Sequence, residues 1–125
     1  MPTILLVEDE KLLAEMYQDK LKEIGFGVDL AFSAEEALDY LGEKRPDLIL
    51  LDILLPREDG IFLLKKLKED KNISEIPVVA FSNYDDPKAK KEALELGAKA
   101  YLIKTQYTPK ELIEEVKKFL PKPHP

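Results

Sequence analysis

The sequence predicts an α/β domain in which five strands alternate with five helices. The strands form one parallel sheet and the helices cover both of its faces. Three observations predict it. Short apolar runs and amphipathic segments alternate from end to end of the chain. The runs Thr3–Val7, Leu48–Leu51 and Pro77–Phe81 are apolar almost throughout, as strands covered on both faces are. Glycines, prolines and capping residues punctuate the boundaries between segments.

Each element has its own signal. Strand 1, Thr3–Val7, leads into Glu8-Asp9. Helix 1 is predicted over residues 11–24, with Leu13, Tyr17, Leu21 and Ile24 on one stripe and Gly25 and Gly27 closing it. Residues 28–32 read as strand 2. Ser33-Ala34-Glu35-Glu36 is a capping box that opens helix 2, which runs to Gly42. Pro46 breaks the chain before strand 3, Leu48–Leu51, which leads into Asp52. A loop from Pro56 to Gly60 precedes helix 3, which reaches Asp70. Strand 4, residues 77–81, leads into Ser82. Asp86-Pro87 supplies an N-cap followed by proline at the first helical position, so helix 4 runs from there to Gly97. Strand 5, Ala100–Ile103, leads into Lys104. Thr108-Pro109-Lys110-Glu111 combines a capping box with proline at the first helical position. Helix 5 then carries Leu112, Ile113, Val116, Phe119 and Leu120 at helical spacing. Right-handed crossovers and the flavodoxin-like strand order 2-1-3-4-5 are the expected winding. The domain is expected over residues 1–120, with a proline-rich tail, Pro121 to Pro125, that cannot continue a helix.

Composition narrows the function. The chain of 125 residues is the size of one domain, and 45 % apolar residues suffice for one core. The net charge of −6 argues against a general nucleic-acid binder, which would show a basic patch. The longest apolar runs are far short of the ~20 residues of a membrane span. Absence of cysteine and of a basic leader at Met1-Pro2-Thr3 points to the cytoplasm. Charged residues reach 35 %, mostly Lys and Glu, with few Asn or Gln. That balance fits a thermophile protein and equally a solvated, helix-rich surface.

Ligands of open α/β sheets bind outside the carboxyl ends of the strands. Four strands here end in Glu8-Asp9, Asp52, Ser82 and Lys104, so three carboxylates, a hydroxyl and an ammonium share one crevice. Crowded carboxylates repel one another, and a hard divalent cation relieves the repulsion; Mg²⁺ favours carboxylate, water and phosphate oxygens. Asp52, at the end of the central strand, is the candidate nucleophile, because aspartate can carry a phosphoryl group as an acyl phosphate. Glu8 and Asp9 are then metal ligands. Lys104 can neutralise one phosphoryl oxygen and Ser82 can donate to another. Phosphoryl transfer asks mainly for positioning and charge neutralisation, and this set supplies both. Any one of these residues alone reads as a cap or a solvated loop residue; the combination is what is specific.

The motifs Val7-Glu8-Asp9-Glu10, Leu50-Leu51-Asp52-Ile53, Leu55-Pro56 with Asp59-Gly60, Phe81-Ser82, Gly97-Ala98 and Tyr101-Leu102-Ile103-Lys104 carry a resemblance to response-regulator receiver domains. It covers essentially the whole chain, spacings included. The resemblance implies a phosphoacceptor signalling module, not an enzyme acting on other substrates. Asp52 would take a phosphoryl group from a histidine kinase or phosphotransfer protein. Asp9, Asp52 and the Leu54 carbonyl would ligate Mg²⁺, with Glu8 acting through water. Ser82 and Tyr101 would move together as the switch, altering the helix 4, strand 5 and helix 5 surface that a downstream effector reads. The protein would be a monomer or a phosphorylation-dependent homodimer, with no direct nucleic-acid or membrane contact.

The chain departs from that family in places. Thr105 follows Lys104 where the family has proline in a cis peptide, which leaves open the peptide's isomer and the aim of Lys104. Asn83 replaces a small residue. Leu54 and Tyr84 are bulky at positions that flank the pocket mouth. The alternative function is an unphosphorylated pseudo-receiver, a folded interaction scaffold. A flavin binder would need a hydroxyl- and glycine-rich loop after strand 1, where Glu8-Asp9-Glu10 stands instead.

Overall fold

The runs richest in branched aliphatic residues take the middle of the sheet. The structure is a computed structural model that describes residues 2–55, 59–83 and 85–120. Strands β1 (Thr3–Val7), β2 (Gly27–Ala31), β3 (Leu48–Asp52), β4 (Val78–Ser82) and β5 (Ala100–Ile103) form one sheet in the order β2-β1-β3-β4-β5. Every pairing in it is parallel. β3 and β4 are buried at every position, whereas the edge strand β2 is only partly buried. The predicted flavodoxin-like winding is the observed one.

Helices α1 (Lys11–Glu23), α2 (Ala34–Leu41), α3 (Gly60–Glu69), α4 (Pro87–Glu95) and α5 (Pro109–Lys117) cover the two faces. The strand pleat sends alternate side chains to opposite sides. Leu5, Val7, Ile49, Leu51, Val78 and Ala80 pack with α2, α3 and α4. Ile4, Leu6, Leu50, Val79 and Phe81 pack with α1 and α5.

The boundaries differ from the sequence reading in small, explicable ways. Helix α1 ends at Glu23, and Ile24 is 45 % exposed, so the buried stripe is Ala14, Tyr17 and Leu21. Ile24 is the C-cap and has already left helical geometry, and Gly25 completes the stop with φ 101°. β2 begins and ends one residue earlier than predicted, because Gly27 pairs with Thr3 in the ladder and glycine gives no side-chain signal of a strand. β3 extends by Asp52, which pairs with Phe81, while β4 shifts by one residue, losing Pro77 and gaining Ser82, which pairs with Ile103. The box at α5 is complete. At α2 only half of it forms: Ser33 accepts from the Glu36 N–H at 3.1 Å, while the Glu36 carboxylate meets the Ser33 hydroxyl. Pro56, Tyr84 and the tail 121–125, all singled out from sequence, lie outside the described residues.

Candidate functional site

The pleat that sorts the core also builds the crevice. Val7, Leu51, Ala80 and Ile103 face α2, α3 and α4. By strand alternation the next residues, Glu8, Asp52, Phe81 and Lys104, turn to the α1 side. Two carboxylates, a ring and an ammonium therefore converge at the carboxyl end of the sheet. Glu8 is 1 % exposed, Asp52 4 %, Ser82 0 % and Lys104 8 %, so charge and hydroxyl sit out of bulk water.

A glycine lets the site close under Asp52. Gly60 opens α3 and its N–H donates to the Ile53 carbonyl at 2.9 Å. A Cβ on Gly60 would stand 2.7 Å from the Ile53 Cα and 2.8 Å from the Asp52 carbonyl oxygen. Such contacts are far inside van der Waals distance, so only glycine allows α3 to start this close to the end of β3. Asp59 caps α3 by accepting from the Phe62 N–H at 3.0 Å.

Asp52 is held at both oxygens. Its Oδ1 accepts from the Leu54 N–H at 3.0 Å, and its Oδ2 accepts from Lys104 Nζ at 3.2 Å. The same ammonium donates to Glu8 Oε2 at 2.8 Å. Burial, with a hydrogen bond to Asp52, pushes the Glu8 carboxyl up to about 7 against the pull of Lys104. Burial alone would lower the Lys104 ammonium, but Glu8 and Asp52 hold it above its ordinary value. Buried carboxylates this close repel, and one ammonium cannot neutralise them all. Glu8, Asp9 and Asp52 each offer a carboxylate oxygen, and these oxygens lie within 4.8 Å of one another. Hard oxygen donors at that spacing fit a Mg²⁺ ion.

The sequence-predicted residues thus gather in one place, with unequal roles in the geometry. Glu8 and Asp52 are buried and clamp Lys104, whereas Asp9 is exposed at the rim. No peptide bond among the described residues is cis, and Lys104, which starts a short 3₁₀ turn to Gln106, points at Asp52 with Thr105 behind it. Tyr101 is buried beside Ser82 and hydrogen-bonds to its side chain. Burial raises the Tyr101 phenol, against the Ser82 hydrogen bond, and nearby carboxylates add to the rise. Leu54 is 51 % exposed at the mouth.

Sequence reasoning missed two features. One is the Leu54 N–H as the anchor of Asp52, which only local main-chain geometry shows. The other is Phe81, whose ring lies under the Lys104 ammonium with Nζ 4.4 Å from the centroid. The alternation of β4 could have signalled it, since Phe81 shares the face of Asp52.

Comparison with known proteins agrees with this geometry. The family description for the response regulator receiver domain matches residues 4–117. The chain is 39 % identical over 101 residues to the transcriptional regulatory protein DltR of Streptococcus agalactiae. That match covers 81 % of this chain and 44 % of DltR, so the chain spans less than half the length of that relative. The receiver domain of the Francisella response regulator 1452 superposes with a TM-score of 0.84 at 34 % identity, covering 95 % of this chain and 96 % of that one. The phosphorylated cyanobacterial phytochrome response regulator RcpA gives 0.82 at 31 %, covering 94 % and 89 %. No described helix is long and apolar enough to cross a membrane.

Proposed function

The chain belongs to the response regulator receiver domain family, and we propose that within it Asp52 is the phosphoacceptor of a signalling switch. The observation that carries this reading is the double anchoring of a buried central aspartate. The Leu54 N–H fixes one oxygen and Lys104 the other, beside two further carboxylates. An Asp52 oxygen attacks the phosphorus of the donor. The bond to the leaving group, the imidazole nitrogen of a kinase phosphohistidine or the carboxylate oxygen of acetyl phosphate, breaks and its electron pair leaves with that group. Asp9, Asp52 and the Leu54 carbonyl would hold Mg²⁺, with Glu8 acting through water. When bound, the ion supplies charge neutralisation for carboxylate and phosphoryl oxygens.

Lys104 already points at Asp52 and pairs with a phosphoryl oxygen once the acyl phosphate forms. Ser82 donates to a second oxygen. Its partner Tyr101, hydrogen-bonded to it from β5, then repacks toward the space Ser82 leaves. A local charge thereby biases a two-state surface made by α4, β5 and α5. The partners are a histidine kinase or phosphotransfer protein upstream and an effector protein downstream. The domain works as a monomer or as a homodimer formed on phosphorylation. It catalyses only its own phosphorylation and dephosphorylation, in the cytoplasm. DltR is named a transcriptional regulatory protein, and the match covers 44 % of it.

Incubation with Mg²⁺ and acetyl phosphate tests the reading. The intact mass should rise by one phosphoryl group, and Asp52→Asn or omission of Mg²⁺ should abolish the gain. No gain in wild type would overturn the proposal in favour of an unphosphorylated scaffold.

A further inference from the structure

The Lys104 ammonium has three N–H donors. Glu8 Oε2 and Asp52 Oδ2 take the ion pairs, at 2.8 and 3.2 Å. Beneath the same nitrogen lies the face of the Phe81 ring, 4.4 Å from Nζ to the centroid. That ring is fully buried, and the Tyr17 ring from α1 packs against it edge-on, with centroids 5.9 Å apart and planes at 74°. A cation held over an aromatic face out of water gains more than one at an exposed site. The Tyr17 contact fixes the plane of the Phe81 ring, so the ring is a rigid platform and not a loose filler.

We propose that Phe81 is a positioning residue for phosphoryl transfer: its ring face, braced by Tyr17, keeps the Lys104 ammonium beside Asp52 when the carboxylate pairings change. This rests on the reading of Asp52 as phosphoacceptor. Before transfer, Asp52 Oδ2 accepts from Lys104. During transfer that oxygen's charge passes to the phosphoryl group, and the ammonium must follow it over a short distance. A purely ionic anchor at Glu8 would allow Nζ to swing toward Glu8 and away from the new charge. The ring attracts the cation from below without competing for its hydrogen-bond donors along the carboxylate direction. Thr105 makes the anchor more consequential, since the chain after Lys104 is an ordinary trans peptide entering a one-turn 3₁₀ segment.

The test grades the ring's electrostatics at constant shape. Mono-, di- and pentafluorinated phenylalanine are placed at position 81 of the full chain, and Phe81→Leu serves as the non-aromatic control. Two readouts are taken. The first is the proton shift of the Lys104 ε-methylene without any phosphodonor, which an aromatic face beneath it moves upfield. The second is the rate of Mg²⁺-dependent phosphoryl uptake from acetyl phosphate. The upfield shift should be present in the parent and absent in Phe81→Leu. Uptake should slow stepwise with fluorination, by roughly three- to tenfold between phenylalanine and the pentafluoro ring, with the maximal rate falling and donor KM little changed. An unshifted ε-methylene in the parent would overturn the placement. A shifted methylene with uptake indifferent to fluorination would overturn the positioning role and leave the phosphoacceptor reading intact. A shifted methylene with no uptake in the parent would instead refute the phosphoacceptor reading, and the positioning role with it.

Discussion

Removing the Lys104 charge while keeping its length asks how the crevice balances its ions. In Lys104→Met the aliphatic stem still covers Phe81, but Glu8 and Asp52 face each other with no cation between them. Removing one partner of a buried ion pair costs about 3–5 kcal/mol where the remaining charge stays ionised. Glu8 can escape that cost by taking a proton. Its carboxyl in the folded protein is already raised from the ordinary 4.5 to about 7. A raised folded value means that the stabilising contribution is complete below the unfolded value and is lost as pH rises through the folded one. Wild type without metal should therefore lose stability between 4.5 and about 7, by on the order of 3 kcal/mol at ~1.4 kcal/mol per pH unit. In Lys104→Met the counter-pull of the ammonium is gone, so Glu8 holds its proton to still higher pH and the decline extends further. Urea unfolding at about pH 5 and about pH 8.5, with metal chelated, measures the effect. The variant's deficit should be about 1–2 kcal/mol at the lower pH and about 3–5 kcal/mol at the higher. A deficit equal at both pH values would refute the coupling of Glu8 to Lys104.

Other perturbations probe separate parts of the site. Gly60→Ala forces a Cβ into the Asp52–Ile53 main chain, and should cost about 1–3 kcal/mol in urea unfolding while weakening Mg²⁺ binding; unchanged stability would refute the close approach of α3 to β3. Asp52→Asn removes one of the crowded charges but keeps an acceptor for the Leu54 N–H, so the metal-free variant should melt a few degrees higher, and Mg²⁺ should raise its Tm less than it raises that of wild type. A lower metal-free Tm would instead make Asp52 chiefly a structural hydrogen-bonding residue. Leu54 stands half exposed at the mouth, where on the proposed reading it would impede the water that hydrolyses the acyl phosphate. Leu54→Asn should shorten the phosphoryl lifetime, read as decay of the phosphoprotein after donor removal; decay no faster than in wild type would contradict that role.

How much of this was legible in the sequence depended on range. The strand order followed from five alternating segments and the handedness of crossovers, and the helix caps at Asp86 and Thr108 were readable because a cap is a local hydrogen bond. The crevice was legible too, because the topology alone brings the residues after β1, β3, β4 and β5 together. What stayed hidden was pairing within it. Asp52 read as the nucleophile and Glu8 and Asp9 as metal ligands, but no local signal set their burial apart: the pleat buries Glu8 against Lys104 and leaves Asp9 at the rim. The aim of Lys104 was undecided with Thr105 next to it, since a side chain's direction depends on partners far away in sequence. Phe81 read as a core residue of β4, which it also is; its second contact with the ammonium exists only in three dimensions. Gly60 read as the end of a loop, whereas it opens α3, and the distance to Ile53 that requires glycine is a tertiary fact.

Borohydride reduction of the phosphorylated protein is the most direct test of the central claim. It converts an aspartyl phosphate to homoserine and leaves phosphorylated serine or lysine untouched. After treatment with Mg²⁺ and acetyl phosphate, peptide mapping should find homoserine in place of Asp52 and nowhere else. Homoserine at another aspartate, or a phosphoryl group that survives borohydride, would contradict the account.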